Sequence, residues 1–323
     1  MKTVRIGLLG LGNIGTGTYK TLEMNRAQIT RATGLNLEIT KILEKDTTRE
    51  RGITVTPEQF TQDPDEIFKD PEIDIVIELL GGIEPATTFM LEAMKNKKAV
   101  VTANKAAVAA NFQKLNETAK ANNVEFRFEA SVGGGIPIIN ALTTVLQSNE
   151  FVEVLGIVNG TTNYILTQMT EFGFKYADVL KVAQEKGFAE ADPTADVEGI
   201  DVANKLSILM AIMFDKHISP NDIPTKGISK ITPKDIEIAE AQGCKIKLIA
   251  SARKEGDKLE YSVKPTLLKA SHPLASVSNE FNAVYVTGNA VGELMFYGKG
   301  AGPLPTGSAV MGDVMEIAKN IYK

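Results

Sequence analysis

The sequence predicts an α/β protein in which a doubly wound parallel sheet is joined to a second, α+β region. Three observations lead there. Val4-Arg-Ile-Gly-Leu-Leu-Gly10 is a short apolar run of the kind that forms a buried parallel strand. Gly10-Leu-Gly12-Asn-Ile-Gly15 follows at once and opens a helical stretch from Thr16 to Met24. Strand-like and helix-like segments then alternate as far as Phe128, the pattern of parallel strands joined by crossover helices.

A glycine pattern of this form is weak alone, and here its place after a strand and before a helix gives it meaning. The turn of Gly10, Gly12, Asn13, Ile14 and Gly15 lets the backbone approach a pyrophosphate, whose charge would rest on helix N–H groups and the helix dipole. This is the arrangement of a Rossmann-type dinucleotide site. The second strand, Leu37 to Leu43, ends at Glu44-Lys45-Asp46, where such a fold reads the adenosine ribose. An acid there favours NAD, whereas Lys45, Arg49 or Arg51 favours NADP, and the sequence offers both. Strands follow at Ile73 to Leu79, Ala99 to Thr102 and Glu125 to Phe128, with helices at Pro85 to Asn96 and Lys105 to Asn122. Ligands of such sheets lie off the carboxyl ends of the strands. Three polar turns fall there: Gly81-Gly82, Thr102-Ala-Asn-Lys105 and Glu129 to Gly135, so Lys105 points to the cofactor side, although a lysine in the first turn of a helix is more often simply solvated.

Beyond Gly135 the pattern changes. Ile136 to Leu146 reads as a buried helix, Val152 to Val158 as a strand, and Asn159-Gly-Thr-Thr-Asn163 as a polar turn onto another helix, suited to a carboxylate. Lys245 to Arg253, Leu259 to Val263 and Ala283 to Gly288 read as strands of a mostly antiparallel sheet. Tyr297 to Ser308 reads as a glycine- and proline-rich loop before a closing helix, Ala309 to Tyr322, that returns to the first region. The expected organisation is a dinucleotide-binding domain of residues 1–129 plus 303–323, with an inserted substrate-binding and dimerisation domain of residues 130–302.

Composition narrows the function. The 323 residues are 43% hydrophobic and 23% charged, an ordinary globular balance with length for two domains. A net charge of −5 without a long basic run speaks against nucleic acid and for a small molecule. The one cysteine, Cys244, excludes an internal disulfide, and with only His217 and His272 beside it there is no Cys/His zinc pattern. The N-terminal apolar run is too short for a signal peptide and no stretch is long enough for a membrane helix, so a cytoplasmic protein is expected.

The most informative stretch is Gly187 to Lys205, which packs Glu190, Asp192, Asp196, Glu198, Asp201 and Lys205 into a few turns. If the chain is helical from Val197, Asp201 and Lys205 stand one turn apart on the face of Val197. An exposed acidic loop with one weak helix salt bridge would look similar. Nine mostly apolar residues, Leu206 to Phe214, follow directly and drive this helix into a core. A polar pocket for a small zwitterion results, with carboxylates for an ammonium and a lysine for a reacting oxygen.

Taken together, Gly10 to Gly15, Thr102-Ala-Asn-Lys105, Glu129 to Gly135, Asn159-Gly-Thr161, Gly187 to Lys205 and Gly298 to Ser308 resemble, in order and spacing, the homoserine dehydrogenases, over essentially the whole chain. The resemblance implies NAD(P)H-dependent interconversion of L-aspartate 4-semialdehyde and L-homoserine, on the route to threonine, methionine and isoleucine. It implies Lys205 as proton donor, Lys105 near nicotinamide and substrate, and Asp201 and Asp196 holding substrate and Lys205. Glu190 then takes the substrate amino group, Gly160 and Thr161 form the substrate turn, and Lys45 and Gly302 join the cofactor contacts. Glu129 with the carbonyls of Val132, Gly134 and Ile136 matches a monovalent cation site, usually sodium, and oxygen-only ligands suit such an ion. A homodimer is implied as well. Many members carry a C-terminal ACT domain; the chain stops before it, and threonine feedback through it is expected to be absent.

Two rivals stand beside this reading: another NAD(P)-dependent amino-acid or aldehyde oxidoreductase, and a silent nucleotide-binding sensor. A semialdehyde dehydrogenase needs a nucleophilic cysteine, and Cys244 lies far from every glycine turn. A silent nucleotide-binding sensor has no need for Lys105, Lys205 and the acids. Carboxylates beside Lys205 favour its ammonium form, so homoserine oxidation, which needs the neutral amine, is expected to speed up with alkaline pH.

Overall fold

The computed structural model describes residues 1–322. The chain divides into two compact units, Met1–Gly135 with Ala301–Lys323, and Ile136–Gly300.

The first unit begins with β1 (Thr3–Leu9), α1 (Asn13–Thr33), β2 (Asn36–Leu43), β3 (Phe60–Thr61), α2 (Asp65–Phe68), β4 (Ile75–Glu78), α3 (Ala86–Lys95), β5 (Ala99–Thr102), α4 (Lys105–Asn122) and β6 (Phe126–Arg127). Its strands form one parallel sheet in the order β3-β2-β1-β4-β5-β6. The order reverses direction beside β1, which puts the switch point at the glycine turn. Both faces are covered. Ile6, Leu8, Ile75, Ile77 and Val101 enter one core with α1, while Val76 and Val100 enter the other with Met90, Met94 and Leu115. That two-sided burial is why the strands read as unbroken apolar runs.

The second unit holds β7 (Phe151–Ile157), α5 (Gly160–Phe172), α6 (Tyr176–Glu185), α7 (Thr194–Val197), α8 (Ile200–Phe214), α9 (Pro233–Ala241), β8 (Cys244–Glu255), β9 (Lys258–Lys269), β10 (Phe281–Gly288) and β11 (Gly292–Lys299). The five strands form an antiparallel sheet in the order β11-β10-β7-β8-β9. The chain then returns to the first unit as α10 (Pro303–Ile321). Among the described residues no helix is long and apolar enough to cross a membrane.

Several expectations are corrected. α1 runs nine residues past Met24, because Ile29 is buried and the stop comes only at Gly34, a left-handed C-cap. Ile136 to Leu146 is not a regular buried helix; only residues 139–145 are helical, the last five, Ala141–Val145, as a π-helical turn, and Val145 is exposed. The stretch from Tyr297 is not a loop to Ser308. Tyr297, Gly298 and Lys299 end β11, and α10 starts at Pro303, with Pro303 and Pro305 in the first turn where a missing N–H costs nothing. Gly307 serves helix packing: a Cβ there would lie 2.8 Å from the carbonyl of Gly17 in α1, and one on Gly17 would lie 2.1 Å from the Pro303 carbonyl oxygen. The helix does not run through Val197 either. Gly199, at φ 84°, separates α7 from α8, so Val197 and Lys205 share no helix face. The unit boundaries fall after Gly135 and Gly300 rather than at 129 and 302. The Glu129 amide donates to Asp313 of α10 at 2.8 Å, and a Cβ on Gly135 would come within 2.8 Å of Pro305, which ties this segment to the first unit.

Candidate active site

In the second unit, β7 delivers the chain to Asn159, the N-cap of α5, whose Oδ1 accepts from the Thr162 amide at 2.9 Å. Its Nδ2 is then turned away from the helix, and it donates to Asp196 at 2.7 Å and to Asp201 at 2.9 Å. Lys205, one turn after Asp201 in α8, donates to Asp201 Oδ2 and to the Val158 carbonyl, both at 2.6 Å. Asn159, Asp201 and Lys205 are all buried. Charged groups this deep are costly unless paired, and this lysine meets a carboxylate and a main-chain acceptor. The apolar residues from Leu206 to Phe214 place them there. Leu206, Ile208, Leu209 and Met210 have no exposed surface, so α8 is held in the core and brings its first two turns with it.

Structure thus brings Lys205, Asp201 and Asp196 together beside the turn that starts with Gly160 and Thr161. Thr161 Oγ1 donates to the Phe188 carbonyl at 2.6 Å, fastening the loop before α7 to the head of α5. Glu190 lies on that loop but outside the hydrogen-bonded cluster, with an exposed side chain; its carbonyl accepts from Gln184 at 3.1 Å. Asn159 is the residue sequence reasoning did not assign. Its signal was an asparagine one place before a Gly-Thr helix start.

In the first unit the three fingerprint glycines have distinct duties. Gly10 adopts φ 93°, and an added Cβ would press on the Leu79 carbonyl at 3.0 Å. A Cβ on Gly15 would sit 2.2 Å from the Gly10 carbonyl oxygen. At Gly12 nothing lies within 4 Å, which leaves room at the head of α1. That helix has no side-chain cap and no acid in its first turn, so the head of α1, at Asn13 and Ile14, suits a pyrophosphate.

At the end of β2, Glu44 is occupied by the protein itself. It accepts from the amides of Leu11 at 2.9 Å and Lys45 at 2.8 Å, and Arg51 lies 3.6 Å away. Arg51 is nearly buried and gives its guanidinium to the carbonyls of Leu11 and Asp46. Asp46 accepts from Thr48 and Arg49 amides. Lys45 and Arg49 have exposed side chains.

Lys105 is the first residue of α4 and is half-buried. Its seat is built by a network that sequence reasoning missed. Glu78, fully buried at the end of β4, accepts from Thr102 Oγ1 and the Leu80 amide, both at 2.6 Å. Asn104 caps α4 through Ala107 and donates to the Leu80 and Gly82 carbonyls at 3.2 and 2.7 Å. Burial pushes the Glu78 carboxyl up to about 7, against the hydrogen bonds of Thr102, Leu80 and Asn104. An acid closing an otherwise apolar strand was the available signal.

Glu129 is buried in the 3-10 turn Glu129–Ser131, Val132 is buried, and Gly134 is left-handed at φ 53°. Asp313, hydrogen-bonded to the Glu129 amide, is raised to about 7, chiefly by burial and further by the charge of Glu129. Ile136 is the first residue of the second unit, and Gly302, at φ 121°, is the N-cap of α10. Among the described residues no cluster of three or more His, Cys, Asp or Glu side chains stands ready for a metal ion.

A parallel sheet with an open glycine turn at its switch point, together with a buried lysine–carboxylate cluster, defines a nicotinamide-dependent oxidoreductase of a small molecule. Two family models match, the homoserine dehydrogenase NAD binding domain over residues 10–129 and homoserine dehydrogenase over residues 137–315. A homoserine dehydrogenase of Bacillus subtilis is 46% identical over 99% of this chain and 74% of its own length. The structure of a homoserine dehydrogenase from Thiobacillus denitrificans superposes with a TM-score of 0.95 at 43% identity, covering 99% of this chain and 74% of that one. A hyperthermophilic archaeal homoserine dehydrogenase in complex with NADPH gives 0.82 at 26% identity, covering 98% and 97%. The chain belongs to the homoserine dehydrogenase family. Its activity is accordingly that of an oxidoreductase acting on a CH–OH group with NAD(P), and the rival readings of silent sensor and cysteine-dependent dehydrogenase fall away.

Proposed function

We propose that Lys205 is the acid/base of the interconversion of L-aspartate 4-semialdehyde and L-homoserine, and that Asp201 and Asn159 hold it for that task. The buried contact of Lys205 with Asp201 and the Val158 carbonyl carries this reading. When bound, the nicotinamide supplies the hydride for the aldehyde carbon and takes it back in the reverse direction. Lys205 protonates the oxygen as negative charge develops on it, and a carboxylate at 2.6 Å keeps the lysine charged until then. Burial excludes water, so the charge acts at full strength. In homoserine oxidation the amine must start neutral, and alkaline pH then favours that direction.

Asp196 and Glu190 are assigned to the substrate ammonium, and the α5 head at Gly160 and Thr161 to its carboxylate, where helix amides and the dipole favour an anion. Lys105 is assigned to the nicotinamide side, on a seat built by Glu78, Thr102 and Asn104. NADP(H) is the proposed cofactor. Glu44 and Asp46, the acids that would accept from a ribose hydroxyl, are engaged with their own loop, whereas Lys45 and Arg49 are exposed cations suited to a 2′-phosphate. A monovalent cation, sodium by preference, is proposed at Glu129 with the Val132 and Gly134 carbonyls. The buried acidic pair of Glu129 and Asp313 supports it, since a cation would offset that charge. A homodimer through the five-stranded sheet is proposed from Met295 and Tyr297, exposed on the face shared with Ala283 and Tyr285. The reading places the reaction on the route to threonine, methionine and isoleucine.

Steady-state kinetics of two variants test the division of labour. Asp201→Asn is expected to lower kcat by about 10²-fold or more with little change in the Michaelis constants, and Asp196→Asn to raise mainly the KM for aspartate semialdehyde. Equal, small effects on kcat in both would contradict it.

A further inference from the structure

Lys247, on β8, is buried to 3% exposure and takes no part in the chemistry above. Its ammonium donates to the Val277 carbonyl at 2.6 Å and to Asn163 Oδ1 at 3.1 Å. Asn163, in the first turn of α5, uses its amide nitrogen on three carbonyls of one loop: Val277 at 3.2 Å, Asn279 at 2.9 Å and Phe281 at 3.0 Å. Thr167, one turn further on, closes the loop from its other side by accepting from the Asn279 amide at 3.0 Å. Lysine and asparagine thus gather the carbonyl ends of a tight segment whose middle residue, Asn279, is left-handed at φ 57°.

This segment bears on the head of α5. A Cβ on Gly160 would lie 2.8 Å from the Glu280 carbonyl oxygen, so the backbone of the loop and the backbone of the turn are in direct contact. The next residues of that turn are Thr161 and Thr162, and the residue before it is Asn159, which holds Asp196 and Asp201. A shift of the loop by a few tenths of an ångström would be passed to Gly160 without a side chain to absorb it. The ammonium suits this place because converging carbonyl dipoles present negative charge where an apolar side chain would leave acceptors unpaired. Burial lowers the Lys247 pKa to about 8, with Lys245 adding to the effect and Glu171 opposing it. The loop carbonyls and Asn163 are its compensation.

We propose that Lys247 is a positioning residue of the substrate site, an internal cation that fixes the 277–281 loop and through it the turn at Gly160 and Thr161. The inference rests on the assignment of that turn to the substrate. It predicts a specific kinetic signature, because loosening the turn affects the amino acid and leaves the dinucleotide unaffected.

The test compares Lys247→Met, Thr167→Val and Thr161→Ala by steady-state kinetics with aspartate semialdehyde and NADPH, with circular dichroism to establish folding. Lys247→Met is expected to raise the KM for the semialdehyde by about tenfold and to leave the KM for NADPH within about twofold. Thr167→Val removes the acceptor of the Asn279 amide and the hydroxyl's donation to the Asn163 carbonyl, leaves Lys247 in place, and is expected to raise the same KM by a smaller factor. If Thr161→Ala raises that KM while folded Lys247→Met and Thr167→Val match the wild type, the inference is overturned and the assignment of the turn stands. A loss confined to the fraction of active protein, with both KM values unchanged, would also overturn it as mere structural support. If all three variants match the wild type, the turn itself is wrongly assigned and the inference falls with it.

Discussion

Glu78 offers a perturbation whose size can be worked from the structure. Its carboxyl is fully buried, its hydrogen-bond partners are Thr102, Leu80 and Asn104, and no cation is among them; burial raises it from 4.5 to about 7. A raised acid stabilises the fold fully below its unfolded value, and that stabilisation is lost as pH rises through the folded value, here between about 4.5 and 7. A displacement of roughly 2.5 pKa units at 1.36 kcal/mol each corresponds to about 3 kcal/mol. Glu78→Gln keeps the shape and removes the titration, so its stability relative to the wild type is expected to improve by about 3 kcal/mol between pH 4 and pH 8. At about 2–4 °C per kcal/mol for a unit of this size, the difference between the two melting temperatures should move by roughly 6–12 °C. Calorimetry of both proteins across that range measures it, and taking the difference cancels the other titrating groups. A difference that stays constant with pH would refute the claim that this carboxyl is held near neutrality by burial.

Two further outcomes are expected. Replacing Lys45 and Arg49 together by alanine should raise the KM for NADPH far more than that for NADH, read from parallel initial rates; equal changes would remove both from 2′-phosphate recognition. Glu190→Gln should raise the KM for aspartate semialdehyde several-fold and leave kcat nearly intact, and an unchanged KM would reassign the ammonium site.

The parallel sheet was legible because two-sided burial writes itself as apolar runs, as at Val4 to Leu9 and Ala99 to Thr102, and because helical stretches such as Lys105 to Asn122 alternate with those runs. What escaped was structure set by tertiary contact. The glycines and prolines after Gly298 look like loop material in sequence, yet Gly307, with Gly17 opposite it, lets α10 and α1 touch. The alternation in β11, exposed at Met295 and Tyr297, lacked the continuous apolar signal because it is an edge strand. At the site, Asp201 and Lys205 were readable from their i,i+4 spacing and the apolar tail behind them. Asn159, Glu78 and Lys247 were not, since each acts through partners 24 to 84 residues away, and a lone asparagine before a helix or a lone acid at a strand end marks the first two only faintly.

The reading turns on the proton carried by Lys205. Lys205→Met preserves the length of the side chain and removes the ammonium that Asp201 and the Val158 carbonyl hold. Measured at saturating NADPH and aspartate semialdehyde, its kcat is expected to fall by about 10²–10⁴-fold with cofactor binding retained. A folded variant turning over within a few-fold of the wild type would show that the proton comes from elsewhere.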